Sequence, residues 1–225
     1  MKKNLKLSIL IIALMAITAT GCKKMEEVYS CNPETNKWVK ENLSPIQQMN
    51  RQDLLELEPE KRIPAYRAFT VEQKYECWID KFEQIKSLPW TPKEFTHISL
   101  LAESIEEEWF ERNLNKDEIV NYLLKWGTDG MNFFGWSEYE VGCLISCLYD
   151  VKMEDDNVVF LMPPGGGVVG GDDGNGALKN CNCNKSLFGD FCGIDGPCMN
   201  VECEEQFFCG ILLLQTCNGR CNSTL

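Results

Sequence analysis

Apolar residues recur every three or four positions along two stretches of the chain. The first is Val71, Tyr75, Trp78, Phe82 and Ile85; the second is Phe95, Ile98, Ala102, Ile105 and Trp109. Each set makes one stripe on a 3.6-residue helix, so each stretch reads as an amphipathic helix with a buried face. The start signals agree. Thr70 with Gln73, Thr91 with Glu94 and Ser137 with Glu140 each place a hydroxyl three residues before an acid or amide. In this capping box, each side chain satisfies the other residue's backbone N–H. Asn115-Lys116-Asp117-Glu118 is a looser version. Ser44-Pro45, Glu58-Pro59 and Thr91-Pro92 put proline where a first helical turn tolerates it. Gly127 reads as the left-handed terminator of a helix ending at Trp126. Together these signals predict five or six short helices over residues 31–160, a small α-helical bundle. At the end of that span, residues 157–162 read as a short strand or as the end of the domain.

The pattern then breaks. Seven of the 15 residues from 163 to 177 are glycine, with Pro163 and Pro164 at the start and Asp172-Asp173 in the middle. Such a stretch buries almost nothing, so residues 161–179 read as a flexible linker. Beyond it, residues 180–225 carry Cys181, Cys183, Cys192, Cys198, Cys203, Cys209, Cys217 and Cys221. A unit of about 45 residues excludes too little surface from water to fold on its core alone, and covalent staples make up the deficit. The fold class is therefore mainly α: a small N-terminal helical bundle plus a small disulfide-rich, irregular or β C-terminal module. Residues 207–214 are conspicuously apolar. They read as a buried strand supplying that module's core, with insertion into a membrane or receptor groove as the functional alternative.

The N-terminus sets the compartment. Lys2, Lys3 and Lys6 precede an apolar run over residues 7–17, too short for the ~20 residues that span a bilayer. Ala19-Thr20-Gly21-Cys22 follows, small residues just before a cysteine. This arrangement resembles the lipobox of bacterial lipoproteins, which implies a signal peptide over residues 1–21 and lipidation of Cys22. Residues 22–30 would be a tether. The expected place is the cell envelope, lipid-anchored on the periplasmic or cell-surface side of the outer membrane, with the membrane as a partner through the anchor.

Export bears on the cysteines. Of 13, Cys22 is set aside as the lipid carrier, leaving an even 12. An even count outside the cytosol reads as a disulfide framework of unknown pairing. It comprises the eight tail cysteines together with Cys31, Cys77, Cys143 and Cys147. For the last two, four residues apart on a helix, bonds to Cys31 and Cys77 fit better than a direct one.

Charge narrows the partners. Removing the signal takes three of the 22 basic residues and none of the 34 acidic ones, leaving −15. Nucleic acid is excluded, because phosphate binding needs clustered Lys and Arg. The remaining partner is a receptor or target on another bacterial cell. Catalytic chemistry finds no footing. His97, the one histidine, borders an apolar stripe and reads as structural. There is no Gly-x-Ser-x-Gly elbow, no Ser-x-x-Lys and no phosphate loop. Glu106-Glu107-Glu108 and Glu154-Asp155-Asp156 lack the spacing of a calcium loop and read as a solvated helix face and a helix end. No enzyme activity, metal or other cofactor is expected.

The tail carries a resemblance as well. Its Asn180-Cys181-Asn182-Cys183 opening, eight cysteines and closing Cys217-Asn218-Gly219 look like fulvocin C, a small cysteine-rich bacteriocin. Residues 65–74, Ala-Tyr-Arg-Ala-Phe-Thr-Val-Glu-Gln-Lys, followed by Trp78, are similar to a recurring segment of the fulvocin C-related exported proteins. That resemblance implies a bacteriocin-like lipoprotein whose helical part tethers a disulfide-stapled effector or its precursor. The alternative is a non-catalytic surface protein that uses the tail for adhesion or receptor contact.

Overall fold

A computed structural model describes residues 27–30, 32–161, 184, 198–199 and 206–221. Eight α-helices run in order among these residues. They are α1 (Pro33–Glu41), α2 (Leu43–Ile46), α3 (Arg51–Glu56), α4 (Pro59–Ala68), α5 (Val71–Lys86), α6 (Pro92–Ser104), α7 (Asp117–Phe134) and α8 (Glu138–Ile145). The three capping boxes read from the sequence all form, at the starts of α5, α6 and α8. Asn50 and Asp53 add a fourth at α3, and Asn32 caps α1 by accepting from the N–H groups of Glu34 and Thr35. Each such cap is worth about 1 kcal/mol, which matters for helices this short.

α5 is the centre of the bundle. Trp78, Phe82 and Ile85 on its stripe are at most 1% exposed, and α3, α6 and the 3-10 turn Glu107–Phe110 pack around it. The second stripe is narrower than expected. Ile98, Leu101 and Ala102 are buried on α6, but Phe95 is exposed and Ile105 already caps the helix. Glu106, Glu107 and Glu108 are solvated, on a 3-10 turn and its lead-in rather than on an α-helix face.

Several expectations need correction. Gly127 does not end a helix: α7 runs through it to Phe134 and stops at Gly135, whose φ of 78° is the left-handed terminator. A buried stripe of Leu123, Trp126, Gly127 and Gly130 outweighs the helix-breaking tendency of two glycines. Glu154-Asp155-Asp156 is no helix end. Strands β1 (Val151–Glu154) and β2 (Asn157–Phe160) pair antiparallel, Val151 opposite Phe160, around Asp155 and Asp156 at φ 50° and 63°. Positive φ at both positions is what a two-residue hairpin turn requires, and aspartate tolerates it. At the other end, Tyr29 and Ser30 are not free tether. Both are buried; the Tyr29 N–H donates to Asn36 Oδ1 (2.8 Å) and its carbonyl accepts from Arg67 (2.9 Å).

In the tail, β3 (Cys198–Met199) pairs with β6 (Arg220–Cys221), setting Cys198 opposite Cys221, and β4 (Gln206–Cys209) pairs with β5 (Gln215–Cys217). A 3-10 turn, Ile211–Leu213, joins β4 to β5. Residues 207–214 are thus not one strand. The strand ends at Cys209, and residues 211–214 belong to the same apolar cluster as the helices. Residues 1–21, expected to be a signal peptide, Cys22, the glycine-rich stretch 163–177, and Cys31, Cys181, Cys183, Cys192 and Cys203 lie outside the described residues. No helix among the described residues is long and apolar enough to cross a membrane.

Candidate functional site

Two places concentrate unusual side chains: the tip of the β4–β5 hairpin, and a buried polar cluster where α3, α5 and the approach to β1 meet.

At the hairpin, Cys209 and Cys217 form a disulfide with Cα atoms 5.1 Å apart, and both are buried. Gly210 leaves β4 at φ 66°, a conformation that favours glycine, and a Cβ there would stand 1.9 Å from Gln215 Oε1, so a side chain would also displace the Gln215 amide. That Gln215 oxygen accepts the Ile211 N–H at 3.0 Å, closing the tip from inside. Leu212 and Leu213 follow at φ 49° and 56°, a left-handed conformation costly for residues with a Cβ. Ile211, Leu212, Leu213 and Leu214 are all buried, at 0–8% exposure. Asn184 braces the base, donating to the Thr216 carbonyl at 2.5 Å.

The second cluster is polar where the stripe predicts apolar. Arg51, only 3% exposed, donates to Asp80 (2.6 Å), Asp150 (2.7 Å) and the Leu148 carbonyl (2.7 Å), tying α3 to α5 and to the segment entering β1. Lys81 is fully buried on α5 and donates to the Tyr149 carbonyl, with no carboxylate among the described residues in ion-pair contact. Burial holds its pKa below the usual lysine value, and Arg51 pushes the same way; Cys147, Cys143 and Asp150 favour the ammonium. Lys74, one heptad earlier, is also buried and its pKa falls to about 8, first through burial and then through Lys116 and Arg112. Glu140 does structural work nearby: it accepts from Ser137 to cap α8 and from the Val158 N–H (3.1 Å) to fasten β2.

Cys77, Cys143 and Cys147, expected in disulfides, are buried thiols. Cys147 lies just past the end of α8, its Sγ directed at the Cys143 carbonyl (3.9 Å) rather than into a bond. Burial pushes the Cys77 and Cys143 thiols up to about 12 and raises Cys147 as well. Since the thiolate is the reactive form, these three are held inert. Their role is packing.

His97 stacks on Trp126 with ring centroids 4.9 Å apart, and its Nε2 lies 3.0 Å from the Trp126 carbonyl. The Trp126 indole N–H donates back to the His97 carbonyl at 3.0 Å, so the pair bolts α6 to α7. Burial lowers the imidazole pKa, more than its hydrogen bond to the Trp126 carbonyl raises it. Among the described residues no three His, Cys, Asp or Glu side chains gather closely enough to hold a metal ion.

Arg51 and Lys81 were not among the candidates from the sequence. Lys81 had a signal. Lys74, Trp78, Lys81 and Ile85 keep helical spacing on the buried face of α5, so both lysines fall on the stripe. Arg51 had none, since its partners lie 29, 97 and 99 residues away. Compared with protein families, curated proteins and solved structures, the chain matches none.

Proposed function

We propose that this chain is an exported, non-catalytic lipoprotein of the bacterial cell envelope, held at the membrane through Cys22, which contacts its target with a tail that stays part of the folded body. One observation carries the choice of an attached tail: residues 211–214 lie in the apolar cluster that also contains Trp78, Leu144 and Ile145. Peeling the tail away would expose four apolar side chains, each worth about 1.5–3 kcal/mol when buried. A tail docked that firmly suits a surface-binding protein better than a shed effector. The lipid anchor itself is supported by the basic, apolar and Gly21-Cys22 order of the N-terminus.

The second reading is a fulvocin C-like effector carried by the helical domain. It is favoured by the eight tail cysteines and the Asn-Cys-Asn-Cys opening. One experiment separates the two. The oxidised mature protein, fluorescently labelled, is applied to a panel of related bacteria while growth is followed. Saturable binding that needs the tail, without growth inhibition, is the expected result. Growth inhibition by the tail would sink the binding reading and favour the effector. If Cys22→Ser leaves the protein in the membrane fraction and no acyl mass is found on the mature peptide, the anchor falls.

A further inference from the structure

The hairpin tip and its base belong to different clusters. Residues 211–214 join the helical core, whereas Cys209 and Cys217 form a small separate one among the described residues. The 3-10 turn Ile211–Leu213 lies against α8, and β4 lies against α4. Residues 161–205 stand between β2 and β4 in the chain, and the tip at residues 211–214 is buried with the helices through its own apolar side chains. What seats the tip is its own fit.

That fit is prepared in advance. Leu212 and Leu213 adopt left-handed conformations that a free chain would rarely visit. The disulfide closes the strand ends around them, and Gln215 pins the Ile211 N–H from within the loop. A loop already ordered in its bound shape loses little freedom on docking, which is the usual source of tight binding by small stapled segments. Its tip is uncharged and contiguous, and Val141, Leu144 and Ile145 of α8, all 0% exposed, belong to the same apolar cluster.

We infer that the helical domain binds the disulfide-closed tail loop as a non-covalent ligand, and that it keeps hold of the tail after the chain between them is cut. The inference rests on packing alone and holds for either reading of function. It makes the helical domain the tail's own partner: proteolysis of the glycine-rich stretch would not release the tail, and loss of the Cys209–Cys217 bond would.

The test uses the full mature chain, oxidised, with a specific protease site inserted between residues 163 and 177 and cut after folding. The products are run at about 10 μM on native gel filtration, where a complex with a Kd near 1 μM or tighter stays largely together. They are also run on a non-reducing denaturing gel. The expected result is one native peak and two denatured bands. Ile211→Ser, and separately Cys209→Ser with Cys217→Ser, should weaken the complex about tenfold or more and split the native peak, with the far-UV helical signal of the larger piece retained. Two native peaks from the unaltered cut protein would overturn the inference, whatever the variants do. One band on the non-reducing denaturing gel would overturn it too, since the tail would then be held by a covalent bond.

Discussion

In the helical domain Cys77, Cys143 and Cys147 are buried thiols, whereas in the tail Cys209 and Cys217 are joined. The difference follows from how much each region can bury. The helices surround α5 with enough apolar surface that cysteine serves there as a small hydrophobe, kept inert by a raised pKa. Among the described residues the β4–β5 hairpin has its disulfide as a small cluster of its own, and the tip it carries is buried with the helices. A covalent staple holds its shape, and the helical domain supplies the burial. The two regions are thus unequal partners in one apolar cluster.

Of the staple, the polar tie, the helix cap and Lys81, removing the staple should have the largest effect. Replacing Cys209 and Cys217 with Ser frees a short loop, worth about 2–3 kcal/mol on chain-entropy grounds. Urea unfolding should show that loss, and hydrogen exchange should place it first in residues 206–217. An unchanged midpoint would mean that packing alone orders the hairpin.

On the helical side, Arg51→Met probes the polar tie that substitutes for a staple. Breaking a fully buried ion pair costs roughly 3–5 kcal/mol, but the side chains of Asp80 and Asp150 are 58% and 32% exposed. Solvent screening brings the expected loss to about 2 kcal/mol. A loss under about 0.5 kcal/mol would show that the helices need no such tie. The cap at Ser137 is a smaller element of the same domain: Ser137→Ala should cost about 1 kcal/mol in urea unfolding, because Glu140 also loses its reciprocal partner. No change would mean that α8 is held by packing alone.

Lys81 gives the subtlest contrast, through pH. Its folded pKa lies below the ordinary 10.5, so the folded state binds fewer protons than the unfolded one between those two values. Its contribution to stability is fully present above the unfolded pKa and is lost as pH falls through the folded one. The buried thiols and Tyr66, with raised pKa values, act in the opposite sense, so the wild type must be compared with Lys81→Met. From about pH 7 to about pH 10 the wild type should gain stability relative to the variant in urea titrations. A constant difference would show that Lys81 is not desolvated.

Local chemistry was the legible part of this fold. Thr70, Thr91 and Ser137 act on atoms three residues away, so their caps could be read directly. Gly127 misled because a buried stripe spanning α7 overrode a local breaker, and the real terminator, Gly135, lies eight residues on. The Asp155-Asp156 turn was obscured because aspartate, not the more telling Asn-Gly, adopts the left-handed turn conformation. Residues 211–214 could not be assigned from the chain: an apolar run looks the same whether it packs on its own module or on another element. Nor could the state of Cys77, Cys143 and Cys147, which depends on how neighbouring elements orient their side chains. An even count of cysteines carries no information on orientation.

The shared cluster is tested most directly by Ile211→Ala, followed by far-UV circular dichroism, which reads the helices rather than the tail. Ile211 is completely buried, and such a truncation costs about 2–4 kcal/mol. If the tip completes the helical core, the midpoint of helix melting should fall by roughly 5–12 °C for a chain of this length. A helical midpoint unchanged from wild type, with only the tail loosened, would contradict a shared core and leave the two regions thermodynamically independent.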